Sequence, residues 1–159
     1  MSFFIPILSF FFSIGVYAQG DVFSQCVDFV FSSSTIHSKV EAAQHCKGVR
    51  SMECLQWVNQ SQKVENEAEA ADSCQHVNIE CAKWVHEGPN DLDEPSAARV
   101  CKGVDLLECA QWVYGSPTIL NREDAAAACR FVKSMDCLIA VDSDPSTTRE
   151  DAAAQCQEH

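Results

Sequence analysis

Positive charge is what this sequence is short of. Eleven Lys and Arg stand against twenty-three Asp and Glu, a net charge of −12. A chain this acidic repels phosphate backbones and anionic membrane surfaces, so no nucleic-acid partner is expected. Closely spaced cysteines are missing too: among ten, no two lie fewer than seven residues apart. Zinc sites wrap the ion with near-neighbour cysteines, and c-type haem attachment needs Cys-x-x-Cys-His; neither pattern occurs. The histidines (37, 45, 76, 86 and 159) keep no common spacing and form no repeated ligand set. There is no Gly-x-Ser-x-Gly elbow, no Ser-x-x-Lys pair and no glycine-rich phosphate loop. A cysteine nucleophile needs a spare thiolate, which an even, fully paired set does not leave. No catalytic, cofactor-binding or metal-binding residue is therefore expected, although a site assembled from distant residues leaves no local trace.

Charge of either sign is absent from the first eighteen residues, MSFFIPILSFFFSIGVYA. An apolar run ending in Val16-Tyr17-Ala18 reads as a secretory signal cleaved after Ala18, although no Lys or Arg precedes its apolar core. A membrane anchor is the alternative, but the run falls short of the ~20 residues a spanning helix needs. The expectation is a signal peptide over 1–18, one domain over 19–159 and no stable membrane anchor after cleavage. All ten cysteines lie in that domain. An even, dense set in an exported chain predicts disulfides and a secreted, extracellular or periplasmic location.

Repetition is what the sequence has in abundance. CKGVRSMECLQWV at 46–58 returns as CKGVDLLECAQWV at 101–113, with nine of thirteen positions identical. The cysteines are 26, 46, 54, 74, 81, 101, 109, 129, 137 and 156, so every second one recurs after 27 or 28 residues. A fixed period of that size signals stacked structural units.

Aligned on their cysteines, the units show what each position requires. After Cys26, Cys54, Cys81, Cys109 and Cys137, the residue three on is Phe29, Trp57, Trp84, Trp112 or Ala140, and the residue four on is always Val. Those offsets share one face of an α-helix. Ser51, Ser134 and Asp105 are placed to cap this short helix A. Ser32-Ser33-Ser34, Gly88-Pro89, Gly115-Ser116-Pro117 and Asp144-Pro145 end it. Before Cys46, Cys74, Cys101, Cys129 and Cys156 stands an alanine pair, and eight residues before each cysteine stands Ser38, Asn66, Asp93, Asn121 or Thr148. That spacing predicts an N-capped helix B running from seven residues before its cysteine to the Val three after it. A large ring on A facing small alanines on B lets the two backbones approach closely. The tryptophans could instead be stacking surfaces for a ligand. The fold expected is all-α: five αα-hairpins of about 28 residues, near 24–49, 51–77, 78–104, 105–132 and 134–159, in a small α-solenoid or a compact helical array.

Two disulfide patterns respect the period. One staples each hairpin: 26–46, 54–74, 81–101, 109–129 and 137–156. The other staples each joint, pairing 46–54, 74–81, 101–109 and 129–137, and strands Cys26 and Cys156. The ends favour the first, because no helix B precedes Cys26 and no helix A follows Cys156 in this sequence. The joint Cys46-x7-Cys54, with alanines before it, resembles the disulfide-linked αα-repeats of bacterial cysteine-rich proteins. That resemblance covers the joint alone, since those repeats are longer than 28 residues, and it implies the second pattern.

In stacked repeats the unrepeated positions face outward, where partners bind. The A-to-B loops vary most, and Tyr114 and Ile119 are candidate apolar contacts there; solvated turns are the alternative. Asn59-Gln60-Ser61 is a glycosylation sequon, meaningful in a eukaryotic secretory route. The function expected is a non-enzymatic protein-binding or scaffold module with a protein partner. A small secreted enzyme, or an enzyme inhibitor with a cleft between repeats, is the alternative.

Overall fold

The computed structural model describes residues 22–158, so the signal-peptide reading of residues 1–18 lies outside the described residues. Ten helices follow one another there: α1 Val22–Phe31, α2 Lys39–His45, α3 Met52–Gln60, α4 Glu67–Ser73, α5 Ile79–His86, α6 Glu94–Val100, α7 Leu107–Tyr114, α8 Arg122–Ala128, α9 Met135–Asp142 and α10 Arg149–Gln155. They form five hairpins, α1–α2 through α9–α10. Among the described residues the fold is all-helical, and five disulfides join successive helices in pairs: Cys26–Cys46, Cys54–Cys74, Cys81–Cys101, Cys109–Cys129 and Cys137–Cys156. Each bridge spans a Cα–Cα distance between 5.7 and 5.9 Å. The joint pairing implied by the bacterial resemblance is not formed.

These helices are too short to hold themselves in water. Their ends supply part of what is missing. Ser38, Asn66, Asp93, Asn121 and Thr148 each accept a backbone N–H from the first turn of the even-numbered helices. Ser51 and Ser134 do the same for α3 and α9. Each such cap contributes about 1 kcal/mol. Asn78, which the repeat pattern does not single out, caps α5. Asp105 does not cap α7, whose N-cap position falls on Leu106 with no side-chain bond. Its carboxylate instead binds Arg50 and Lys133.

Packing supplies the rest. The valines four residues after Cys26, Cys54, Cys81 and Cys109 are buried, as are the alanine pairs of the second to fifth units. Helices in sustained contact belong to the same unit or to adjacent ones, so the first and fifth units lie apart in an open array. Such a stack gains stability unit by unit and seam by seam.

The joint between units departs from the sequence expectation. Each even-numbered helix stops at the residue before its cysteine, and the following Val49, Val77, Val104 and Val132 are not helical. Two residues after the first four of these cysteines the backbone turns left-handed: Gly48 at φ +85°, His76 at +57°, Gly103 at +80° and Phe131 at +64°. A residue in that conformation cannot continue a right-handed helix. The released backbone pairs with the next unit. His76 N–H donates to Gly48 O (2.7 Å), Gly103 to His76 (2.9 Å), Phe131 to Gly103 (2.8 Å) and Glu158 to Phe131 (3.1 Å). Single antiparallel bridges flank this ladder, from Val49–Gln75 to Val132–Gln157. One line of backbone hydrogen bonds thus runs the length of the array.

Candidate functional site

The array has two edges that differ in chemistry. At the loop edge, where each odd-numbered helix turns into the next, the side chains are largely spent on one another. Tyr114 is half-buried, its ring edge-on to Trp84 at 5.7 Å between centroids. Ile119 is half-buried against the core. Trp57 meets His86 edge-on at 5.5 Å. The guanidinium of Arg122 lies 5.0 Å above Trp84, and that of Arg149 lies 5.0 Å above Trp112. Arg149 Nη1 also donates to Trp112 O at 2.7 Å. The rings therefore sit at the seam with the following unit, rather than only between the two helices of their own hairpin.

Beside them, Gly115 to Thr118 and Thr147 to Arg149 line a hollow of about 260 Å³. Ser116 and Thr118 hydroxyls there donate to Glu150. Burial pushes the Glu150 carboxyl up, but the bonds from Thr118 and Ser116 outweigh it and hold the group below its ordinary range. Most polar groups of this seam are satisfied, but the Nε of Arg122 is buried with no partner among the described residues.

The joint edge is open. Asp72, Arg99, Lys102, Arg130 and Phe131 line a cleft of about 490 Å³. Three cations converge here on a chain with eleven in all, and none of the three forms an ion pair among the described residues. Arg130 Nη2 donates to Val100 O at 3.3 Å, and its Nε is buried with no partner among the described residues. Arg99 donates to Ser96 Oγ at 3.2 Å. The single acid of the cleft, Asp72, is engaged by His45 Nδ1 at 3.0 Å and Gln75 Nε2 at 3.1 Å. That leaves a positive surface on an acidic protein.

Phe131 stands in the middle of it, 51% exposed and left-handed in its backbone. A bulky residue rarely adopts that conformation, and where one does the site merits functional attention. Repeat spacing did not find this residue. Its signal was the break in the column two residues after each B cysteine, where Gly48 and Gly103 alternate with His76 and Phe131. The ten cysteines occupy the disulfides, with none free among the described residues. No group of three or more His, Cys, Asp or Glu that could hold a metal gathers among the described residues. No helix there is long and apolar enough to cross a membrane. Five disulfides fit an oxidising, extracellular setting. The chain matches no family model, no curated protein and no solved structure.

Proposed function

We propose that this is an exported, non-enzymatic module that binds another protein, with the joint edge as its contact surface. The uncharged apolar run at 1–18 and the five disulfides support export into a secreted or periplasmic space. The observation that carries the binding role is Phe131, half-exposed beside Arg99, Lys102 and Arg130. An exposed aromatic flanked by arginines is the composition of an interface anchor. The rigid array behind it keeps the ordering cost of binding low. The partner this surface fits presents carboxylates around an apolar side chain.

Immobilised, disulfide-bonded protein tests the reading when exposed to the fluid that surrounds its native source. One protein should be retained by the wild-type chain and lost from both Phe131→Ser and Lys102→Glu. Retention indifferent to both substitutions removes the joint edge from the proposal. Turnover of a small molecule by the purified chain removes the non-enzymatic reading.

A further inference from the structure

Each unit presents one face to the unit before it and another to the unit after it. Three positions define the backward face. One residue after the A cysteine, Leu55, Ala82, Ala110 and Leu138 are fully buried. Three residues before the B cysteine, Ala71, Ala98, Ala126 and Ala153 are fully buried. Six residues before it, Ala68 and Pro95 are buried, while Glu123 and Glu150 bond Asn90 and Ser116 of the preceding unit. In the first unit the same positions are Val27, Ala43 and Val40. Val27 and Ala43 are only half-buried, and Val40 is 73% exposed.

The forward face is open in the fifth unit. Cys26, Cys54, Cys81 and Cys109 are at most 1% exposed, as are Val30, Val58, Val85 and Val113. Their counterparts Cys137 and Val141 are half-buried, and Ala140 is exposed where the earlier tryptophans meet the following unit. Terminal units of a closed repeat array carry polar outer faces. The first unit presents Val27, Val40 and Ala43 instead, and the fifth keeps the cysteine and valine of the seam with Ala140 in place of the ring.

The backbone ladder is open at the same two places. Gly48 N–H and Glu158 O, at its two ends, have no hydrogen-bond partner among the described residues. Charge follows the same polarity. Residues 22–50 hold three basic side chains and two acidic ones, whereas residues 134–158 hold one basic and six acidic. Arg50 is paired with Asp105, so the first hairpin is close to neutral while the fifth is net negative by five, and the repulsion expected between two whole acidic copies is small at this contact.

We propose that copies of this chain associate head to tail, the α1–α2 end of one seated on the α9–α10 end of the next. The contact continues the seam that already joins unit to unit. A heterologous contact of this kind leaves one free end of each type and so extends, closing only if rotation brings the ends together. The inference uses residues other than the joint-edge cleft, so neither proposal falls with the other.

Ala43→Glu blocks one end, at the position where every later unit buries an alanine in its seam, and Ala140→Glu the other, at an exposed position. Sedimentation of the wild-type chain should show mass rising with concentration. Each variant alone should stay monomeric, and an equimolar mixture should yield a dimer that grows no further. Ala140→Trp restores the ring of the middle units and should tighten association roughly threefold to tenfold. A wild-type chain that stays monomeric at every concentration overturns the proposal. Self-association of either blocked variant alone, or a mixture that stays monomeric, overturns it as well.

Discussion

The imidazole of His76 occupies the space where Gly48, one unit earlier, would carry a side chain. A Cβ built on Gly48 would lie 2.6 Å from His76 Cε1, and one on Gly103 would lie 3.0 Å from Phe131 Cε1. The two glycines therefore meet two demands at once: a left-handed turn and room for the next unit's ring. This pairing also explains why 46–58 and 101–113 are so alike, since small and large residues alternate along the column with a period of two units. Gly48→Ala should cost about 2 kcal/mol in urea unfolding, and Gly103→Ala somewhat less. In a His76→Gly background the cost of Gly48→Ala should fall to about 1 kcal/mol, leaving the backbone contribution alone. Equal costs in both backgrounds would show that the ring is not the obstacle.

Asp105 ties its own joint to the three others. Its carboxylate binds Arg50, which lies two units earlier, and Lys133 in the next joint, while Asn78 Nδ2 donates to its backbone oxygen at 3.2 Å. Burial pushes the Asp105 carboxyl up, yet the bonds from Lys133 and Arg50 prevail and hold it below its ordinary value. A carboxyl depressed in the folded state stabilises above its unfolded pKa, about 3.9. That stability drains away as pH falls through the folded value. Asp105→Asn should therefore lose about 1 kcal/mol near neutrality, the cations being half-exposed. The gap between wild type and variant should close as the pH drops below about 4. Urea titrations at stepped pH measure it, and a gap independent of pH would contradict the ion-pair account.

Much of this architecture is legible in the sequence because the positions that build it recur. Cysteines, alanine pairs and the residues Ser38, Asn66, Asp93, Asn121 and Thr148 repeat with the unit, and they set the hairpins and their caps. The joint was harder to read. Val49, Val77, Val104 and Val132 fit a helical stripe by spacing, but the left-handed residue just before each one ends the helix. Glycine marks that turn only at 48 and 103, and His76 and Phe131 disguise it. Asp105 looked like a local cap because its true partners are 55 and 28 residues away. The Arg122 and Arg149 contacts are invisible for the same reason, each reaching a ring 38 or 37 residues earlier. Periodicity reports what every unit shares, whereas the joint-edge cleft is built from what they do not.

Trp84 carries a larger share of seam energy than its half-buried state suggests. Its ring meets Tyr114 edge-on, Arg122 lies over its face, and its backbone oxygen accepts from Arg122 Nη1. Trp84→Ala should cost about 2–3 kcal/mol, below the value for a fully enclosed ring. Arg122→Ala should cost about 1 kcal/mol, through the lost cation–ring contact and the lost hydrogen bond. Because both act on one ring, the double variant should cost less than the sum. Strict additivity in denaturant unfolding would mean that arginine and ring act independently.

The staples should not be equivalent, although each closes a loop of nearly the same length. By the chain-entropy estimate either one contributes about 3 kcal/mol. Position in the array then separates them. The α5–α6 hairpin contacts α3 and α4 on one side and α7 and α8 on the other, whereas among the described residues α9–α10 is seated chiefly on α7 and α8. In a nearest-neighbour stack, loosening an end unit frays that unit, while loosening a middle unit severs two seams. Replacing Cys137 and Cys156 by Ala should speed amide exchange in α9 and α10 and leave α3 to α6 protected. Replacing Cys81 and Cys101 should speed exchange across α3 to α8 and lower the unfolding midpoint further. Native-state hydrogen exchange read by mass spectrometry distinguishes the two variants. An identical loss of protection spread over all five units in both would mean that the array unfolds as one body, and that the seams are stronger than the staples.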